Sequence, residues 1–160
     1  IARLLAALAS KLCDEYIIYT FDTELRQVTF PKKSSILQSA LSIDCDGGGT
    51  DLTLPIDEML ANNIRVDRLI MFSDNEINSD IAIGDKPTAF RTCQILADKY
   101  RKTINPDFWV HAVDLMGYGT QQFIGDKTNV IAGWSERVTE FIMLAELGIQ
   151  SQVTAIENYK

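Results

Sequence analysis

The chain has 160 residues, 46% of them hydrophobic, with a mean hydropathy near zero, so it carries enough apolar material for one buried core and is not disordered as a whole. Against 15 Lys and Arg stand 22 Asp and Glu, and the resulting net charge of -7 is a poor electrostatic match for a nucleic-acid backbone. No apolar run reaches the roughly 18 residues of a membrane span, and Cys13, Cys45 and Cys93 lack C-x-x-C spacing, which points to reduced intracellular thiols and not to a disulfide framework.

Ile1 to Cys13 is Ala/Leu-rich with apolar residues at helical spacing and predicts a packed helix, not a signal peptide. Tyr16 to Phe21 is β-branched and aromatic and predicts a strand; after a turn at Asp22-Thr23-Glu24, Arg26 to Phe30 alternates as a half-exposed neighbouring strand would, and Pro31 stops it. Ser34 or Ser35 can cap a short helix through Leu41. The loop from Ser42 to Gly49 then delivers Thr50-Asp51 at the start of a second helix ending near Asn62, with Pro55 tolerated in its first turn.

Leu69-Ile70-Met71-Phe72 has no alternation, which is how a central parallel strand covered on both faces reads. A polar loop from Ser73 to Lys86 follows, then a helix from Ala89 to Arg101 with Phe90, Cys93, Leu96, Ala97 and Tyr100 on one face. Cys13 and Cys93 both fall at apolar helix positions, where burial is expected. Phe108 to Leu115 and Asn129 to Ala132 predict two further strands, and Ser135 to Leu147 a last helix that Gly148 ends. Without repeats or linkers, the order spells one domain over 1–160: an open, doubly wound, mostly parallel α/β sheet with helices on both faces.

In such sheets ligands bind at the carboxyl ends of strands, where Asp22, Thr50, Asp74, Glu76 and Asp114 fall. Hydroxyls and carboxylates without imidazole or thiolate neighbours suit Mg²⁺, Mn²⁺ or Ca²⁺ better than zinc. Asp22 and Asp114 are equally explained as turn-forming acids, whereas Asp74, alone at the end of an apolar strand, is the stronger ligand candidate. His111 lies inside a strand and is expected to have a structural or surface role. No G-x-S-x-G exists, and neither Ser73 nor Ser135 has a local base. Gly117 and Gly119 lack the third glycine and the setting of a dinucleotide fingerprint, so 116–122 reads as a flexible loop. Lys32-Lys33 and the group Lys99, Arg101 and Lys102 read as solvated faces.

The run Gly47 to Pro55, GGGTDLTLP, followed by Leu69 to Glu76, LIMFSDNE, resembles the metal-ion-dependent adhesion site of von Willebrand factor A (vWA) domains. More narrowly it is similar to the A domain at the C-terminal end of the Ro/TROVE ribonucleoproteins, RNA-binding proteins whose ring of helical repeats holds small noncoding RNAs. The resemblance implies a cation, Mg²⁺ or else Mn²⁺ or Ca²⁺, bound by Thr50 from the second loop and Asp74 from the third. The first-loop D-x-S-x-S motif of the family is absent from 1–160. Its place would be just before Ile1, so the chain, which begins without Met, is expected to be an N-terminally truncated domain with weak or no metal binding of its own.

A cation with an open coordination position would be completed by a carboxylate from a protein partner. The resemblance therefore implies a cytoplasmic binding module and not an enzyme, with RNA held by a helical-repeat domain outside this chain and no membrane contact. The competing readings are a metal-dependent hydrolase or phosphoryl-transfer enzyme using Asp74 and Glu76, and an intracellular vWA domain acting with an ATPase.

Overall fold

The computed structural model describes residues 1–44, 50–74, 89–117, 122–135, 137–148, 153–154 and 156–158. Gly47 to Gly49, Glu76, most of the loop from Ser73 to Lys86, Cys45 and the Phe90 side chain, all named above, lie outside the described residues.

Helix α1 spans Ala2–Leu12 and buries Leu5, Ala7, Ala9 and Ser10, with the Ser10 hydroxyl returned to the Ala7 carbonyl at 2.8 Å. It stops where Cys13 turns extended, and Cys13 stays half-buried, unlike the fully buried Cys93. Strands β1, Ile18–Phe21, and β2, Leu25–Val28, pair antiparallel as a hairpin. Helix α2, Ile36–Leu41, starts at Ser35 through a reciprocal cap: the Gln38 N–H donates to Ser35 Oγ at 3.2 Å and the Ser35 N–H to Gln38 Oε1 at 2.9 Å.

Helix α3, Leu54–Ala61, begins later than expected. Thr50-Asp51 does not open it, because Asp51 holds a turn over Thr53 and Pro55 takes an early helical position where its missing N–H is harmless. Strand β3, Arg68–Ser73, precedes the long helix α4, Ala89–Thr103; β4, Trp109–Asp114, and β5, Thr128–Ala132, lead to α5, Val138–Glu146. At the end of α5, Gly148 adopts a φ of +90° and its N–H bonds the Ala145 carbonyl at 3.2 Å, a geometry that glycine accepts without strain.

The described strands form two sheets and not the single one expected: the β1-β2 hairpin, and a parallel sheet in the order β3-β4-β5. Among the described residues the central strand of this sheet is β4, five of whose six residues are buried, and β3 pairs on one side only. The uninterrupted apolar run of β3 reflects cover on both faces. Leu69 and Met71 of β3, Val110 and Ala112 of β4 and Val130 of β5 pack with Leu52, Ile56 and Met59 of the α3 region and Cys93, Ala97 and Tyr100 of α4. Ile70, Phe72, Val113 and Ile131 pack on the opposite face with Leu5 of α1 and Val138 of α5. Helices therefore cover both faces of an open α/β sheet, as the alternation of element types predicted.

One charged position differs from the sequence reading, and the single histidine takes the structural one of its two expected roles. Arg101 is not a solvated charge: its guanidinium donates to the Phe108 carbonyl at 3.1 Å and the Lys127 carbonyl at 3.0 Å, joining α4 to β4 and β5. His111 is completely buried in β4.

Candidate functional site

The carboxyl ends of β3, β4 and β5 lie level, and the end of β1 is tied to the segment that follows Thr50. At the end of β1, Asp22 Oδ1 accepts the Glu24 N–H at 2.8 Å and Oδ2 accepts Arg26 Nη1 at 2.9 Å. The Glu24 N–H first, and then Arg26, hold the Asp22 carboxyl below the ordinary carboxylate value. The Asp22 carbonyl accepts the Asp51 N–H at 2.9 Å, which fastens the second loop to the end of β1. Asp51 Oδ1 then accepts both the Thr53 N–H at 2.9 Å and the Thr53 hydroxyl at 2.6 Å. Leu52, between them, is fully buried in the core that holds Met71 and is packed by Phe21. Thr50, half-buried, thus stands directly before a segment pinned at Asp51.

The parallel register sets Ser73 of β3 opposite Asp114 of β4 and Asp114 opposite Ala132 of β5, so three strands end level. Ser73 Oγ lies 3.4 Å from Asp74 Oδ1, a long and weak contact, and Asp74 is half-buried. Asp114 is buried and its Oδ1 accepts the N–H groups of Met116 at 3.1 Å and Gly117 at 2.8 Å, with Gly117 at a φ of +72° that suits the tight turn. Asp22 and Asp114 are therefore turn-forming acids. Behind the rim, burial and then the Asp51 charge raise the Cys93 thiol to about 12, which makes it an inert core group. Burial, reinforced by Asp51 and opposed by Lys99, likewise raises Asp57.

Asp22 and Asp51 are brought together by the loop linkage, and Asp74 and Asp114 share the level strand ends. No group of three or more His, Cys, Asp and Glu that could hold a metal forms among the described residues. The oxygen donors at the rim, Thr50, Ser73 and Asp74, match the chemistry of a hard cation but do not by themselves amount to the six to eight ligands that Ca²⁺ takes or the octahedron that Mg²⁺ requires.

A second polar constellation went unread in the sequence. Glu146 of α5 receives Arg68 Nε at 2.6 Å and Nη2 at 2.9 Å, a two-pronged pair, and its Oε1 is 2.9 Å from His111 Nε2. Burial lowers the His111 pKa against the pull of Glu146, so the imidazole is neutral and this contact is an N–H donated to a carboxylate, not an ion pair. Nδ1, then unprotonated, faces Asn129 Nδ2 at 3.5 Å, and Trp109 stacks on the ring at 5.6 Å between centroids. Burial raises the Glu146 carboxyl, but Arg68 first and His111 second bring it net below its ordinary value. The partners lie 35 and 78 positions apart, beyond any local sequence signal. Asp51 was legible: an acid two residues before Thr53 is an Asx-turn signature.

Among the described residues no helix is long and apolar enough to cross a membrane. No family model matches the sequence, and no curated protein matches it. Among solved structures, the crystal structure of the Deinococcus radiodurans Ro (RSR) protein superposes with a TM-score of 0.71 at 15% identity, over 92% of this chain and 29% of that one. The chain thus spans under a third of that protein's length and shares with that part of it an open α/β fold.

Proposed function

We propose that this chain is a vWA-type, cation-dependent binding domain of a Ro/TROVE-like ribonucleoprotein. Thr50 and Asp74 would hold a divalent cation, Mg²⁺ or else Mn²⁺ or Ca²⁺, at the rim, and a carboxylate from a protein partner would complete its coordination. The observation that supports this reading is the tie of the segment after Thr50, through the Asp51 N–H, to the end of β1 at Asp22, while Asp74 follows the level end of β3. The shared fold with the Ro (RSR) protein supports the family side of the reading.

Binding, not catalysis, is the proposed activity. Asp22, Asp51 and Asp114, three of the described acids near the strand ends, are engaged by turn N–H groups or by Arg26, and His111 is buried under Glu146. RNA would be held by segments outside 1–160, consistent with the net charge of -7, and the setting would be cytoplasmic.

Calorimetric titration with Mg²⁺ and Mn²⁺ tests the site. Residues 1–160 should bind weakly or not at all, and a form extended upstream of Ile1 should bind in a manner abolished by Asp74→Ala. Binding in the extended form that survives Asp74→Ala would overturn the ligand assignment, and tight binding to 1–160 alone would show that no further ligands are needed.

A further inference from the structure

We propose that Arg68, His111 and Glu146 form a proton-operated clip on the last turn of α5, closed while His111 is neutral and released, with the rest of the fold intact, when His111 takes a proton. The clip lies at the starts of β3 and β4, where Arg68 stands opposite Trp109 in the register. Asp74 and Asp114 lie at the other end of these strands, so the clip does not rest on the cation reading. Its first support is the way α5 is attached. The helix buries Val138 and Ile142, but none of residues 143–148 is buried, and Met143 and Leu147 are exposed. Glu146 ties this end to the sheet, through Arg68 Nε at 2.6 Å, Arg68 Nη2 at 2.9 Å and His111 Nε2 at 2.9 Å.

The second support is the hydrogen-bond chemistry around the ring, which matches neutral imidazole alone. The Nε2–H donates to the Glu146 carboxylate, and the Nδ1 lone pair faces Asn129 Nδ2, itself a donor, at 3.5 Å. A second proton, on Nδ1, would set two donors against each other beside a fully buried ring that Trp109 stacks upon. The charged groups facing the ring are Glu146 of α5, which favours the imidazolium, and Arg68 of β3, which opposes it; β5 brings the neutral Asn129. Arg68 in turn feels Cys13 at the end of α1 and Asp67 just before β3. Burial outweighs the attraction of Glu146, so the imidazolium is relieved by meeting water. The smallest movement that admits water lifts the one helix end that contributes no buried side chain.

Because His111 is the single histidine, its ring protons report the proton directly by NMR, alongside amide exchange corrected for its intrinsic pH dependence. Between about pH 7 and about pH 5 the opening of residues 144–147 should rise about ten-fold, following the His111 titration and within the ten-fold per pH unit that one proton allows. That opening should be insensitive to low urea, whereas exchange at Ala97 and Tyr100 of α4, which reports global unfolding, should climb with it. Asn129→Asp, which offers Nδ1–H an acceptor, should keep the last turn equally protected at both pH values, and Glu146→Ala should leave it open at both. His111 titrating with no change in the last turn, opening as urea-dependent as that of Ala97, or an acid response that survives in Asn129→Asp or His111→Gln would each overturn the proposal. Should a variant fail to fold, the urea dependence of the unmodified chain decides.

Discussion

The Asp51 N–H donates to the Asp22 carbonyl at 2.9 Å, joining two loops that are 29 residues apart in sequence. This bond places Thr50 without asking anything of the Thr50 side chain, since it is made by the next residue's backbone. The position of the loop and the chemistry of the loop are thereby separable by mutation.

Asp51→Ala removes the acceptor for the Thr53 N–H and hydroxyl while leaving the backbone bond to Asp22. A loss of about 1 kcal/mol in urea unfolding is expected, the usual size for removing a capping acceptor, and Asp51→Asn, which retains an oxygen there, should lose less. Equal losses for the two would show that the charge and not the acceptor matters.

Asp74→Ala should leave the metal-free stability of residues 1–160 within about 1 kcal/mol of wild type, as for a ligand whose role lies outside the core. Thermal unfolding in chelator measures this. A loss of several kcal/mol would make Asp74 a structural group of the β3 terminus.

Tyr100→Phe should destabilise by about 1–3 kcal/mol, because the fully buried Tyr100 hydroxyl accepts the Val66 N–H at 2.9 Å and donates to the Ile64 carbonyl at 2.6 Å. Phenylalanine fills the same volume, so the loss reports hydrogen bonds and not a cavity. Chemical denaturation with an unchanged m-value would confirm it.

The His111 and Glu146 pair predicts acid sensitivity with a defined sign. His111 has a folded pKa below its ordinary 6.5, so below that pH the unfolded chain binds the proton that the fold refuses, and stability falls as pH drops. Glu146 has a folded pKa below its ordinary 4.5, so its contribution is present above that value and is lost as pH falls through the folded pKa. Both act in the same direction. Urea midpoints measured from pH 7 down to about 4 should decline, with a slope below about 1.4 kcal/mol per pH unit from the single histidine. His111→Gln should flatten the upper part of that decline and leave the lower part.

Local chemistry made much of this legible from the residues alone. The Ser35 cap, the Gly148 stop and the uninterrupted apolar run of Leu69 to Phe72 each act through near neighbours, and each produced the element it signalled. The start of α3 was misplaced because Thr50 and Thr53 are both acceptable caps on their own, and only the Asp51 side chain, committed to Thr53, decides between them. Cover on both faces of β3 was readable, but its pairing on one side only among the described residues was not, since burial of a face does not report whether a strand has a neighbour in its own plane. Arg68, His111, Asn129 and Glu146 meet only through the fold, so their network had no signature in any window of sequence.

The division of the strands into two sheets also has a kinetic meaning. The hairpin is closed by the three residues Asp22 to Glu24 and belongs to the class of structures that form in microseconds. The β3-β4-β5 sheet must first bring together strands separated by α4 and by a long connection, which imposes loop-closure entropy before any pairing is rewarded. By this measure closing the hairpin carries the smaller entropic cost and closing the parallel sheet the larger.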